Sequence, residues 1–322
     1  MKALELLYHY TAQTYLTLTR NESQVELWRV TAPNLAFKSR FLMRSLLAIS
    51  ALHLCHLQPI RHEELTHAAA FHMNLALGYF RSDVTDMTKQ NFETVCAFSC
   101  FVSIYGMASW QSADRRLRSS PTSTNKPLHD FLERLHLIRS TFFLLSSKAD
   151  WANTGAMAPL AHTNLSVNFA TNPDDHRIAA LLQLVTPPDS ASPARKEQYR
   201  VYRHALDRLR ITCALCTSTE NSFNNAAPVN IWISSISEEF VQLLYEGQPE
   251  ALVLLAHLCV VLKQVGRFWF MHACPERLVT TIADMLSHEW RTWIEWPLRE
   301  IVGRCLCPPE LEGRTLPIPI RC

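Results

Sequence analysis

The sequence predicts an all-α fold arranged as a single multi-helix domain, on three observations. Glycine is scarce, at 7 of 322 residues, or about 2% against a usual share of ~7%. Apolar residues recur at steps of three and four in block after block, the period of a helix with one buried face. The chain is 48% hydrophobic and 19% charged, which suits a packed core rather than a disordered chain. Hairpins and phosphate loops consume glycine because they need positive φ or close backbone approach. The nearest two glycines here, Gly303 and Gly313, lie ten residues apart. The G-x-G-x-x-G and Walker patterns are therefore absent, which argues against the common nucleotide enzymes.

In chain order, the first helix falls in LELLYHYTAQTYLTL (4–18), with Leu4, Leu7, Tyr8, Thr11, Tyr15 and Leu18 on one stripe. The next is FLMRSLLAISALHL (41–54), an apolar run too short for the ~20 residues of a membrane span and interrupted by charge. Helical periods follow near 62–81, 90–109, 128–147, 195–216 and 236–246. Ser237 ahead of Glu238 and Glu239 marks one helix start, and Pro249 ahead of Glu250 marks the helix 249–265. A last helical stretch covers 275–302. Loops are expected at 111–127, 186–194 and 217–230, where Pro, Ser and Asn gather. One domain is expected over 1–304, with a flexible Pro-rich tail over 305–322.

Charge and reactive residues exclude more than they assign. The net charge is +2, and the one dense basic cluster is Arg115, Arg116 and Arg118. A duplex reader carries a basic face that neutralises several phosphates, so no direct nucleic acid binding by this chain is expected. The ten cysteines include a single C-x-x-C, Cys213 and Cys216, with no second ligand pair at zinc spacing. They read as buried thiols of a reducing compartment, in keeping with the lack of a signal peptide, so secretion is not expected. His53 and His56 share a helix face without a carboxylate at ligand spacing, and His62, His67 and His72 stand about 140° apart per step. No metal and no cofactor are expected. No G-x-S-x-G elbow or other nucleophile setting is present, so the catalytic residues are unknown. Aromatics crowd GRFWFMHACPERL (266–278) and EWRTWIEWPL (289–298), a packed core by default and otherwise the wall of an apolar site with a few polar anchors.

Taken together, LELLYHYTAQTYLTL, LWRVTAPNLAFKSRFLMRSLLAISALHLCHLQP and AAAFHMNLALGYFRSDVTDMTKQNFETVCAFSCFVSIYGMAS resemble the regulatory domain of fungal six-cysteine zinc-cluster transcription factors. The similarity is greatest to the sterol uptake control group. The blocks PEALVLLAHLCVVLKQVGRFWFMHACPERL and EWRTWIEWPLREI look like that domain's C-terminal half. The resemblance implies an all-α domain with a hydrophobic pocket for a lipid, nuclear action, and homodimer formation. Two departures stand out. The six-cysteine DNA-reading module is missing, and Ala273-Cys274 follow Met271-His272 where relatives carry glycine and an aromatic residue.

Two functions follow, and both put a lipophilic small molecule (a sterol, terpenoid or polyketide) in the pocket. In one the chain is a nuclear regulator tied to sterol or specialised metabolism. In the other it is a cytoplasmic, cofactor-independent enzyme that cyclises or isomerises a lipophilic intermediate, for example a Diels-Alderase. A shaped cavity that holds reacting ends together needs little acid/base machinery for such chemistry. In either role the expected ligand-binding residues are His53, His257 and His272 as polar anchors and Tyr105, Trp110, Trp269 and Phe270 as walls.

Overall fold

Ser39 sets the first long helix: its extended backbone breaks the preceding helix, and its hydroxyl accepts the Leu42 N–H at 3.3 Å. A cap of this kind is worth about 1 kcal/mol. The computed structural model describes residues 2–19, 22–117, 126–161, 167–217, 227–265 and 268–303. Among these the chain forms helices and turns without a strand, as expected. The first part comprises α1 (Lys2–Ala12), a 3-10 turn at Thr14–Thr17, α2 (Glu22–Glu26), a π-helical turn at Leu27–Thr31, α3 (Ala32–Lys38), α4 (Arg40–Leu57), α5 (His62–Asp83) and α6 (Phe92–Leu117). Then come α7 (Lys126–Ser147), α8 (Ala149–Thr154), α9 (Ala158–Ala161), α10 (Asp175–Ala180), α11 (Pro193–Thr217), α12 (Ala227–Ser235) and α13 (Glu238–Tyr245). The last are α14 (Pro249–Val265), α15 (Cys274–Met285), α16 (His288–Arg291) and α17 (Glu295–Val302).

Two helices are buried nearly all round, as their continuous apolar runs require. The α4 helix packs against α1, α3, α5 and α6; the α14 helix packs against α11, α13, α15 and α17. Between them α7 touches α6 on one side and α12 and α15 on the other, joining both sets of helices over one continuous core. Gly247 ends α13 at φ 69°, with its N–H on the Leu244 carbonyl and the next N–H on Leu243. That left-handed residue turns the chain straight into α14.

Four expectations need correcting. The stripe proposed for 4–18 is largely the wrong face: Leu4 and Tyr8 are 72% and 74% exposed, and Leu6, His9, Tyr10 and Thr14 are buried instead. Polar partners decide the rotation. The Tyr10 hydroxyl donates to the Trp28 carbonyl at 3.0 Å and the Ser50 hydroxyl donates to the Leu6 carbonyl at 2.6 Å. The stretch 275–302 is not one helix. It breaks at Leu286 and Ser287, both extended, and again before α17, whose first turn holds Pro297 without loss of a needed donor. The loop expected over 111–127 is shorter, since α6 runs to Leu117 and α7 starts at Lys126. The loop expected over 217–230 likewise gives way to α12 from Ala227. Residue Arg118, most of the 217–230 loop and the expected tail over 305–322 lie outside the described residues.

Phe92–Trp110 of α6 is long and apolar enough to cross a membrane by length and composition, and half of it is buried inside the protein. Core helices meet the same criterion. None of the seven described cysteines forms a disulfide, and burial pushes the Cys96, Cys100 and Cys216 thiols up to about 12. A thiol held that high is a poor nucleophile at neutral pH.

Candidate functional site

The expected site residues divide among four places. His53, Trp269 and Phe270 come together where α1, α4 and the segment 268–271 meet. His53 lies on the α4 face turned to α1, and its Nδ1 stands 3.2 Å from His9 Nε2 and 3.1 Å from the Thr14 hydroxyl. The Trp269 ring covers it at 5.2 Å between centroids, reaches His56 at 6.0 Å, and donates its Nε1–H to the Thr17 hydroxyl at 3.0 Å. Phe270 meets Trp269 edge-on. Burial holds His53 down to about 4, helped by the nearby His9 and His56, and it also lowers His9 against the pull of Glu5. Both imidazoles are therefore neutral at pH 7. This is a closed polar knot that pins the N-terminal helix to the C-terminal segment.

His257 stands elsewhere, on α14. Its Nδ1 lies 2.8 Å from the Val253 carbonyl, an acceptor that admits only an N–H. The proton therefore sits on Nδ1, and Nε2 keeps its lone pair. Complete burial lowers this histidine to about 4, so the neutral form persists. Trp296 packs over it at 5.6 Å. The two line a cleft of about 250 Å³ together with Arg177, Ala180, Leu181, Thr292, Trp293, Glu295 and Arg299. Arg177 lies over the Trp296 ring at 5.5 Å, with its Nε bonded to Asp174 at 3.1 Å.

Trp110 and Tyr105 belong to a third region, on α6. Trp110 is fully buried against Phe131, with the Arg277 guanidinium over its ring at 4.5 Å. Its Nε1 has no hydrogen-bond partner among the described residues. Tyr105 is partly buried, and burial raises its hydroxyl. His272 is exposed to solvent.

The expected site residues leave out His9, Thr14 and Thr17 at the knot and Arg177, Trp293, Trp296 and Arg299 at the cleft, although the block 289–298 that holds both tryptophans stands out in the sequence. The tryptophans did carry a signal. Trp290, Trp293 and Trp296 repeat at steps of three, which lays them along one side of the α16–α17 segment. Arg177 carried none, because it enters from α10, far away in sequence. Among the described residues no three His, Cys, Asp or Glu side chains gather as a metal set would.

Residues 5–151, which span α1 to α7 and the first turn of α8, match the family described as the fungal specific transcription factor domain. The chain is similar to a fungal transcription-factor regulatory domain. A Zn(2)-C6 fungal-type transcription factor of Gibberella zeae is 22% identical over 331 residues, covering 98% of this chain and 63% of that protein. Sterol uptake control protein 2 of Candida albicans is 30% identical over 110 residues, 34% of this chain and 15% of that protein. The chain thus spans less than two thirds of either relative. The family match holds the His9–His53 knot except Trp269 and Phe270, whereas the His257 cleft lies wholly beyond residue 151.

Proposed function

We propose that the chain is a ligand-responsive regulatory domain of fungal transcription-factor type, acting in the nucleus as a homodimer. Its ligand is a lipophilic metabolite held at the cleft between α10, α14 and α17. The observation that carries the reading is the similarity over 98% of the chain to a zinc-cluster transcription factor. The chemistry of the cleft supports it: Trp293, Trp296 and Leu181 supply apolar wall, and His257 supplies one buried polar anchor, the usual make-up of a small-molecule site. The cleft offers about 250 Å³ and is open to solvent, not sealed. It suits a one- or two-ring terpenoid or polyketide body, while a whole sterol would extend out of the mouth.

The test is a reporter fusion. The full chain joined to an unrelated DNA-binding module is expressed in a fungal host, with wild-type and Trp296→Ala versions side by side. Output that changes when the host's sterol or terpenoid synthesis is blocked, and that no longer changes in the variant, is the expected result. Output indifferent to both treatments in the wild type contradicts the proposal.

A further inference from the structure

We infer that the ligand of the His257 cleft is a small organic acid with a planar apolar body and a hydrogen-bond donor at its inner end. This rests on the cleft being the ligand site, and adds the chemical class.

The floor comes first. His257 is 3% exposed, its Nδ1 is committed to Val253, and its Nε2 has no partner among the described residues although the residue lines the cleft. That nitrogen is reached from the cleft and is not sealed in the core, so a ligand that supplies a donor can bond it there. A hydroxyl fits, because Nε2 bears a lone pair and no proton.

The walls are two indoles and two small aliphatic faces, Trp293 and Trp296 with Ala180 and Leu181. Flat ring systems bury well against indole faces.

The rim sets the charge. Arg299 is exposed, lines the cleft and makes no ion pair among the described residues. Arg177 uses only its Nε on Asp174, which leaves the Nη side of its fork without a described partner. Glu295 is the single acid lining the cleft. Arg177 is already paired with Asp174, so Arg299 is the guanidinium at the mouth with no ion pair among the described residues. A carboxylate taken there would gain charge-assisted bonds in the fork geometry that arginine presents, from Arg299 and from the Nη side of Arg177. A cationic ligand would meet Arg299, with Glu295 the one acid lining the cleft.

Isothermal titration of the full chain at pH 7 and low salt separates these classes. The probes are 6-hydroxy-2-naphthoate, 2-naphthoate, 2-naphthol and 2-naphthylmethylamine, each also run on Arg299→Gln and Trp296→Ala. The hydroxy acid is expected to bind best, with 2-naphthol weaker by at least about tenfold, one charge-assisted bond's worth. Arg299→Gln should close that gap, and added salt should weaken the acid alone. The acid lacking the hydroxyl should lose several-fold, because His257 Nε2 is then left open. Arg299 is exposed and has no ion-pair partner among the described residues, so the variant should fold. Binding of 2-naphthol or the amine as tight as the acid, sensitive to Trp296→Ala, overturns the acid class and leaves a lipophilic site standing. Binding of no probe overturns both the class and the cleft.

Discussion

Acidification from pH 7 to pH 5 is expected to cost the protein about 4 kcal/mol of folding stability, before most carboxylates titrate. His53 and His257 are each held at about 4 by burial, against ~6.5 in an unfolded chain. The folded state therefore binds fewer protons than the unfolded state. Their contribution to stability is complete above about pH 6.5, declines as the pH falls through that value, and is gone below about pH 4. By linkage each group accounts for about 2 kcal/mol at pH 5 and roughly 3 kcal/mol at the end of the window. Two such groups are a large part of a stability that for most proteins is ~5–15 kcal/mol. Protonated His53 would also stand beside His9 and His56, with only Glu5 near His9 in compensation. Denaturant titrations at pH 7, 6 and 5 measure the slope. His257→Gln, which keeps a donor for the Val253 carbonyl, should flatten the profile by about half. A wild-type stability equal at pH 7 and pH 5 would rule out neutral buried histidines at either position.

Replacing Arg195 by Met is expected to remove about 3 kcal/mol, because it strands a buried charge. The Glu250 side chain is 4% exposed and its carboxylate meets Arg195 Nη2 at 2.8 Å. Arg195 is held in turn by Gln198 at 2.6 Å and by the Tyr199 ring at 5.2 Å. Glu250 lies in the first turn of α14, where the helix dipole relieves part of the loss. Arg195 itself is 41% exposed, which keeps the figure at the lower end for buried pairs. The double variant Arg195→Met with Glu250→Gln should recover much of the stability, and urea midpoints of the four proteins give the coupling. A single-variant loss well under ~1 kcal/mol would place the pair with ordinary surface ion pairs. The position matters because α14 carries His257 seven residues further on, so a shift of its N-terminal end is a shift of the cleft.

The helices most readable in the sequence were those buried on nearly every side. In α4 and α14 any rotation about the axis still buries leucine, so the stretches 41–54 and 249–265 located them without ambiguity. The first helix was found but turned the wrong way, since Leu4 and Tyr8 look as apolar as Leu6 and Tyr10. Only the partners, Trp28 and Ser50, reveal which pair faces inward. Short elements such as α3, α8 and α10 have too few turns to show a period. The aromatic block at 289–298 reads from its sequence as packed core by default, and its Trp293 and Trp296 are half-buried where they line the cleft. His257 is the one expected anchor that reaches this cleft; His53 faces the knot instead and His272 faces solvent. Spacing along a chain could not separate these three histidines, because the difference lies in which distant helix packs over each.

Native mass spectrometry of the full chain purified from a fungal host tests the proposed role of the cleft most directly. The expected result is a noncovalent small-molecule adduct on the wild type, released by an organic solvent, and missing from a folded Trp293→Ala/Trp296→Ala variant. A wild-type protein that carries no adduct and gains none on incubation with host lipid extract would contradict a ligand-responsive domain, as would a variant that retains the same adduct as the wild type.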